Sequence, residues 1–313
     1  MTGEVRAIAP LYTDLIYSGF DALPGPGEEV YTKAFDLQLG GGAAAIPVTL
    51  SRMGVPARLG TFLGDDAVSR LAVSLLKENG LRQYENLYRG AGRPVVISSV
   101  FSYGGDRSFL SFGDEVTQAD LTDAACYDFL KGAAIAFAPQ GRPEVVKRLH
   151  TDGTILLYDI GWTPGMQLSD YADILQYVDY FTPNEKEARQ LTGEEKLEDA
   201  LRKLGEAVKT PVVKCGAKGC IALHKGEILR APAVDCFTPV DFTGAGDNFM
   251  AGVLYGVYQG WPLVRCLQMG NVFGGYSTTQ MGCYKAGLTL PQAMDFLRYY
   301  GTAVEKRGQE VFR

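Results

Sequence analysis

Short runs of consecutive apolar residues alternate along this chain with stretches that repeat apolar residues at helical spacing. A run that is apolar on both faces is typical of a strand buried between two layers. Such runs are Val5–Ala9, Ala133–Ala138, Ile155–Tyr158, Val178–Phe181 and Val212–Lys214. Helical patterns separate them at Ala67–Asn79, Glu144–His150, Glu185–Leu191 and Leu197–Val208. The alternation predicts an α/β fold with a mainly parallel sheet covered by helices on both faces, in a single domain over residues 1–313.

Two regions depart from this alternation and predict a second, smaller sheet. Residues from Val30 to Leu39 alternate in polarity, with the apolar ones on one face. Residues from Val95 to Phe112 read as two strands around Gly104-Gly105-Asp106, a turn sequence typical of a β-hairpin. We expect the strands of this sheet to come from about residues 12–39 and 92–113. The alternative is a pair of surface hairpins with no role in covering a site.

Composition excludes several classes of function. Apolar residues make up 46% of the 313 residues, charged residues 21%, and the net charge is −6. Without a run of five or more Lys and Arg residues, neither nucleic acid nor an anionic membrane is expected as a partner. The chain has no apolar run of ~18 residues and no signal-peptide pattern at Met1–Arg6, so a cytoplasmic protein is expected. Six cysteines without a Cys-x-x-Cys pair and two histidines argue against a zinc site and a Ser-His-Asp hydrolase.

A glycine-rich turn opens one of the helices, at Asp241-Phe242-Thr243-Gly244-Ala245-Gly246-Asp247-Asn248. A helix that begins with small residues is a ready anion site, because unpaired N–H groups and the helix dipole both favour negative charge. Asp247 at this site indicates phosphate transfer. Asp247 would take the proton of an attacking hydroxyl while the N–H groups of Gly244, Ala245 and Gly246 stabilise the transferred group. The alternative is that Asp247 only caps the helix and the glycines only form a tight turn.

Four segments, in the right order, resemble the motifs of the ribokinase-like, or PfkB-type, carbohydrate kinases. Asp241–Asp247 resembles the C-terminal signature of that family, and Gly40–Ala45 resembles its N-terminal diglycine motif. Asn184–Glu187 resembles its Asn-x-x-Glu element, and Lys214–Gly219 the strand and turn that border its nucleotide pocket. The resemblance implies a three-layer sandwich with a β lid. It also implies ATP-dependent phosphorylation of a hydroxyl of a small sugar or keto-sugar, and a homodimer that forms through the lid.

The resemblance also assigns roles to individual residues. On the sugar side it implies Asp14, Gly40 and Gly41, with Ala45 at the position of the family's sugar-binding asparagine, which suggests a wider or different pocket. Arg107, just past the lid turn, is a further candidate for contacting substrate, and Asp159, at the end of an apolar strand, is a weaker one. On the nucleotide side it implies Asn184, Glu187, Gly216, Gly219 and Asn271. Glu187 would order Mg²⁺ through water, and Asp241 and Thr243 offer a site for a monovalent cation such as K⁺.

Three other functions stay open at this point. A nucleoside kinase of the same fold would use a lid aromatic, one of Tyr17, Phe20, Phe101 and Tyr103, to stack on a base. A phosphosugar kinase would need a cationic cluster, for which only Lys33 and Arg107 are near. A non-catalytic sugar-binding regulatory protein would not need Asp247 or the glycine turn. The sequence does not select the sugar.

Overall fold

Within residues 1–103 and 106–307, which the computed structural model describes, nine strands form one large sheet. Side chains are described for residues 1–103 and 108–300. In spatial order the strands are β13 (Glu227–Ala231), β12 (Cys220–His224), β11 (Thr210–Lys214), β10 (Tyr180–Phe181), β9 (Ile155–Tyr158), β8 (Ile135–Phe137), β1 (Val5–Ile8), β4 (Ala57–Thr61) and β5 (Tyr84–Asn86). All neighbours from β11 to β5 are parallel, and β12 and β13 add an antiparallel edge. The predicted, mainly parallel sheet is confirmed.

Helices cover both faces of this sheet. They are α1 (Ala45–Arg52), α2 (Ala67–Glu78), α3 (Asp123–Leu130), α4 (Pro143–Thr151), α5 (Ala172–Leu175), α6 (Glu185–Thr192), α7 (Leu197–Ala207), α8 (Ala245–Tyr258), α9 (Leu263–Ser277) and α10 (Leu290–Arg307). Short 3₁₀ turns lie at Leu168–Tyr171 and Gly216–Lys218. Of the described helices, none has the length and apolar composition that crossing a bilayer requires.

Alternate residues of the central strands belong to different apolar cores, which makes the fold a three-layer sandwich. Leu157 and Val212 point into the core formed with α1, α8, α9 and α10. Their neighbours Leu156 and Val213 point into the core formed with α3 to α7. Because side chains alternate across a strand, a strand between two helical layers must be apolar at every position. This is why these strands were readable as unbroken apolar runs.

A four-stranded sheet, called the lid below, stands apart from the large one in the described chain. Its order is β3 (Ala34–Gly40), β2 (Tyr12–Ser18), β6 (Val96–Tyr103) and β7 (Asp106–Phe112). The outer pairs are antiparallel, whereas β2 and β6 are parallel. The predicted hairpin therefore exists, but its turn residues Gly104 and Gly105 lie outside the described residues. The first lid strand of the alternating region begins at Ala34, not at Val30.

Four strands of the large sheet, β4, β5, β12 and β13, were not among the predicted strands. β4 carries an arginine and a glycine, and β5 has only three residues, so neither contains an apolar run. β5 is the last strand on its side of the sheet, whereas β4 lies between β1 and β5. β12 and β13 form the antiparallel edge on the other side. Elsewhere the predicted ends of strands and helices differ from the observed ends by at most two residues.

Candidate active site

Three consecutive glycines, the last residue of β3 and the two that follow it, lie between two carboxylates. The carboxylate of Asp14, on the neighbouring strand β2, fills the space that a Cβ on Gly40 would take. A Cβ on Gly42 would lie 2.7 Å from a carboxylate oxygen of Asp247. Gly41 has a φ of +93°, and a Cβ there would lie 2.7 Å from the Pro10 carbonyl oxygen. Only glycine satisfies all three contacts. The glycine segment therefore brings the predicted sugar-binding carboxylate and the predicted base into one cleft.

Asp247 does not cap helix α8. The N-cap is Gly244, with φ 75° and ψ 6°, and no side chain accepts a hydrogen bond at the cap. Asp247 lies inside the first turn, where its carboxylate faces the glycine segment instead of the helix end. The alternative of a simple N-cap aspartate is thus excluded. The N–H group of Ala245 already donates to the Phe242 carbonyl oxygen at 3.2 Å, so it contributes to the turn.

A buried ion pair lies beside Asp247. Lys214, at the end of β11, donates from Nζ to Oδ2 of Asp159, at the end of β9, at 3.0 Å. The two side chains are only 16% and 15% exposed. The Lys214 ammonium also lies 3.2 Å from the place that a Cβ on Gly246 would occupy. A desolvated cation is therefore held against the glycine turn, at the carboxyl ends of parallel strands where ligands bind in such sheets.

These charges perturb the acidity of Asp247. Burial, the largest cause, and the negative charge of Asp159 together raise the pKa of Asp247 to about 6, against the opposing effect of the Lys214 ammonium. Burial also raises the pKa of Asp159, again opposed by Lys214. A carboxylate with a pKa moved towards neutrality is a stronger proton acceptor than an ordinary aspartate and is still ionised at pH 7.

Asn184 and Glu187 form a capping box at the start of α6. Oδ1 of Asn184 accepts from the Glu187 N–H at 2.9 Å, and Oε2 of Glu187 accepts from the Asn184 N–H at 2.7 Å. Glu187 is 5% exposed, so it is not a solvated first-turn residue. Burial raises its pKa, as does the nearby Asp159. The pair thus has a structural role, and Glu187 also belongs to the same buried group of charges as Asp159 and Lys214.

The residues of this cluster fit a magnesium ion held mostly by water and phosphate oxygens. Oδ1 of Asp159 is buried and makes no hydrogen bond of ordinary geometry within the described chain. Asp159 and Glu187 supply the hard oxygen donors that Mg²⁺ prefers, and Mg²⁺ needs few of them. No group of three or more His, Cys, Asp or Glu side chains that could enclose a metal occurs in residues whose side chains are described.

The other residues predicted on the nucleotide side differ in their surroundings. Gly216 has a φ of +56°, and the place that a Cβ would take there is open space. Gly219 is packed against the backbone of Ala231 and its neighbours, with no room for a Cβ. Asn271 is 7% exposed, and its Nδ2 donates to the carbonyl oxygens of Ala231 and Pro232 at 2.8 and 3.0 Å. These contacts tie α9 to the end of β13.

On the sugar side, the widening expected at Ala45 is not observed. Ala45 is the first residue of α1 and is fully buried in the apolar cluster that contains Ala44 and Val48. Arg107 pairs in register with Ser102, four residues along the strand from the level of Asp14, and its side chain lies outside the described part. Asp241 accepts N–H donors on both carboxylate oxygens: Thr243 N–H at 2.9 Å and Gly282 N–H at 2.6 Å.

Sequence reasoning missed the role of Lys214, although it noted the segment that Lys214 begins. The available signal was a lysine at the carboxyl end of an apolar strand. A charged side chain at such a place is costly to bury unless it has a partner. It also missed Gln38, which pairs with Asp14 across β2 and β3 and is 8% exposed. A polar residue inside an alternating strand gives no sign of the partner that it will face.

Comparison with known proteins identifies the family. The family model described as pfkB family carbohydrate kinase matches residues 12–289. The chain belongs to this family of carbohydrate kinases, as the motifs predicted.

Two curated relatives show the range of substrates within the match. A 5-dehydro-2-deoxygluconokinase of Geobacillus thermodenitrificans is 25% identical over 311 residues, with 89% of each chain covered. A cytidine kinase of Thermococcus kodakarensis is 38% identical over 101 residues, which cover 31% of this chain and 36% of the relative. Among solved structures, Arabidopsis thaliana ribokinase complexed with ribose and ATP has a TM-score of 0.82 at 22% identity, covering 95% of this chain and 99% of that one. The last likeness confirms the ribokinase-like fold.

Proposed function

We propose that this carbohydrate kinase transfers the γ-phosphoryl group of ATP to a hydroxyl of a small sugar or keto-sugar, with Asp247 as the general base. The observation that carries the proposal is the placement of Asp14 and Asp247 on either side of the glycine segment, with Lys214 held against Gly246. One carboxylate can grip a diol of the sugar while the other faces the hydroxyl that reacts. The lysine supplies positive charge where phosphoryl oxygens would lie.

The reaction is an in-line transfer. Asp247, whose pKa of about 6 leaves it ionised at neutral pH, accepts the proton of the attacking hydroxyl. Lys214 and the N–H groups of Gly244 and Gly246 stabilise the charge on the moving phosphoryl group. The Ala245 N–H, also predicted to take part, instead donates to the Phe242 carbonyl oxygen. When bound, Mg²⁺ neutralises charge on the ATP phosphates; Glu187 and Asp159 would hold it through water. Asp159 keeps Lys214 in place until phosphate oxygens compete for it.

The nucleotide would lie along the turn after β11. Gly216 leaves open space there, and Gly219 lets the turn pack closely. Asn271 would act on this pocket indirectly, because its amide holds the chain at Ala231 and Pro232. A K⁺ site near Asp241 and Thr243 stays a prediction, to be tested by replacing K⁺ with a larger cation in the assay buffer.

A row of polar side chains on the lid supports a sugar as the substrate, because these side chains could recognise its pattern of hydroxyl groups. Gln38, Asp14, Ser98 and Ser111 stand side by side across all four lid strands. The hydroxyls of Ser98 and Ser111 lie 2.8 Å apart, and Ser98 is 3% exposed. Neutral amide and hydroxyl groups flanking one carboxylate suit a polyol, which can both donate and accept hydrogen bonds at each hydroxyl.

The nucleoside alternative is weakened by the aromatic residues of the lid. Tyr17 and Phe101 stack on each other at 5.8 Å between ring centroids, on the lid face opposite Asp14. Phe20 and Tyr103 form a second pair at 5.4 Å. Each ring already has an aromatic partner, so a base would have to compete for it. The local similarity to a cytidine kinase nevertheless keeps nucleosides among the acceptors to be tested.

The deciding experiment measures ADP release with Mg·ATP over a panel of pentoses, hexoses, keto-sugars, keto-sugar acids and nucleosides. Product formation is followed by phosphorus NMR, so that idle ATP hydrolysis is not mistaken for transfer. We expect a phosphorylated sugar and a much smaller rate with nucleosides. ADP release without any phosphorylated product would point to the regulatory alternative, and a nucleotide product to the nucleoside kinase.

The outer face of the lid supports the proposed homodimer. Phe35, Leu110 and Phe112 are 55%, 71% and 57% exposed and share the face opposite Asp14. Large exposed apolar groups on one surface mark a contact with another protein. We expect Phe112→Asp to convert a dimer into a monomer in sedimentation experiments, whereas Phe109→Asp, on the other face, serves as the matched control.

A further inference from the structure

Five residues between α9 and α10, Met281–Lys285, form a segment that contacts both the lid and the glycine turn; it is called the bridging segment below. Towards the turn, the Gly282 N–H donates to Oδ2 of Asp241 at 2.6 Å, and the Cys283 carbonyl oxygen accepts from Nδ2 of Asn248 at 3.0 Å. The thiol of Cys283 fills the space that a Cβ on Gly244 would take. The bridging segment therefore supports the turn in front of Asp247.

The same segment holds lid strand β3. Nε2 of Gln38 donates to the Met281 carbonyl oxygen at 3.1 Å, and Lys285 forms an ion pair with Asp36. The hydroxyl of Tyr284 donates to the carbonyl oxygen of Gly41. Contacts to the lid side (Met281, Tyr284, Lys285) and to the turn side (Gly282, Cys283) thus come from five consecutive residues. A displacement of this segment moves both sides of the cleft.

Tyr284 contacts the central residue of the glycine segment. Its acceptor, Gly41, lies between the glycine that faces Asp14 and the glycine that faces Asp247. Tyr284 is 3% exposed, and burial raises the pKa of its hydroxyl well above the usual value, so the hydroxyl remains a donor.

The backbone of Tyr284 is itself anchored. Its carbonyl oxygen accepts from Nη1 of Arg52 at 2.8 Å. The guanidinium of Arg52 is held in turn by the carbonyl oxygen of Asn79, which accepts from Nε at 2.8 Å. The hydroxyl of Tyr284 therefore extends from a fixed point to the middle of the glycine segment.

We propose that Tyr284 is a positioning residue of this active site, whose hydroxyl sets the separation between Asp14 and Asp247 by holding the Gly41 carbonyl. The inference rests on the proposed function, in which one carboxylate grips the sugar and the other takes its proton. Without the hydroxyl, the left-handed Gly41 peptide is free to rotate, and both flanking glycines shift against their carboxylates. A misplacement of about 1 Å between reacting groups costs on the order of 100-fold in rate.

The test is Tyr284→Phe, which keeps the buried ring and removes only the hydroxyl. Tyr258→Phe is the matched control, because the Tyr258 hydroxyl also donates to a glycine carbonyl, that of Gly3 at 3.1 Å, at the far end of α8. We expect kcat/KM for the sugar to fall about 10- to 100-fold in Tyr284→Phe, with KM for ATP within about twofold of wild type. We expect Tyr258→Phe to retain wild-type kinetics. A loss of thermal stability with unchanged sugar kinetics in Tyr284→Phe would overturn the proposal.

A second measurement does not depend on kinase activity. Amide hydrogen exchange of the ligand-free proteins should show faster exchange at residues 40–45 in Tyr284→Phe than in wild type and in Tyr258→Phe. Wild-type exchange at residues 40–45 overturns the proposal, whatever the activity of the variant. If the wild-type protein phosphorylates no acceptor, the proposed function fails, while this exchange measurement still decides whether Tyr284 holds the glycine segment.

Discussion

The two regions that the proposed reaction brings together, the lid and the cluster around Asp247 (called the transfer end below), differ in the side chains that they present. At the transfer end, four charged side chains are largely withdrawn from water, at strand ends of the large sheet (Lys214, Asp159) and in the first turns of α6 and α8 (Glu187, Asp247). The lid presents one carboxylate among neutral side chains, on a sheet whose outer face is exposed and apolar. Desolvated charges on rigid elements suit catalysis, because the electrostatic interactions of each charge are stronger where water is excluded. Neutral hydrogen-bonding groups on a separate sheet suit recognition of shape and hydroxyl pattern.

The largest effect is expected at the base. Asp247→Asn keeps the size of the side chain but cannot accept a proton, so kcat should fall by about 10²–10⁴. The thermal midpoint should not drop, because Gly244 is the N-cap and the change removes a buried carboxylate whose pKa is raised. Asp128→Asn, on the surface, serves as the control. Near-normal turnover on the preferred sugar would mean that the charged end does not perform the chemistry.

The next effect is expected at the buried cation. Lys214→Met should lower kcat by about 10²–10³, the usual loss when one group that stabilises transition-state charge is removed. KM for the sugar should change little, since the proposed function assigns sugar binding to the lid. Lys209→Met is the matched control, because Lys209 also pairs with an aspartate, Asp179 at 2.8 Å, but is 73% exposed. A loss confined to sugar KM would place Lys214 on the recognition side of the comparison.

The pH dependence separates the two regions further. The base must be ionised, so kcat/KM should fall as the pH drops below about 6, the pKa of Asp247. Asp159 raises that pKa, and Asp159→Asn should therefore move the acid limb to lower pH, on the order of one unit. The profile is measured from pH 4.5 to 8 with saturating ATP. An acid limb that stays in place would show that Asp159 and Asp247 do not interact.

A smaller effect, of a different kind, is expected on the lid. Ser98→Ala removes a hydroxyl from the polar row and should raise sugar KM about fivefold, the value of one neutral hydrogen bond, with kcat almost unchanged. Ser99→Ala, at the next residue and on the other face of the lid, should leave kcat and sugar KM unchanged. A fall in kcat without a change in sugar KM would contradict the assignment of sugar binding to the lid and of the chemical step to the transfer end.

The smallest effect on activity is expected at Ala45. This residue has no exposed surface, so Ala45→Asn should overpack the cluster and cost about 1–3 kcal/mol of stability without changing the order of preferred sugars. Chemical denaturation measures the loss of stability, and the acceptor panel measures the order of preferred sugars. A changed sugar profile at normal stability would return Ala45 to the sugar pocket.

Local patterns account for most of what was predicted correctly. The unbroken apolar runs at β8, β9 and β11 were readable because both faces of each strand are buried. The Gly244–Asp247 turn and the Asn184–Glu187 pair were readable because neighbours in sequence form them. The N-cap alternative for Asp247 was wrong, because it depends on which side of the helix faces the cleft. The widening expected at Ala45 is not observed, because α1 packs this residue into an apolar cluster.

The sequence by itself determined the class of fold, the family and the glycine turn that precedes Asp247, because the patterns that indicate them each involve residues close together in the chain. Only the tertiary structure decided the partners of these groups. Lys214 and Asp159 are 55 positions apart, and Tyr284 and Gly41 are 243 positions apart. Such contacts depend on how the strands are ordered in the sheet and how the lid meets the large sheet. A local pattern does not encode that order, because the packing of the whole chain selects it.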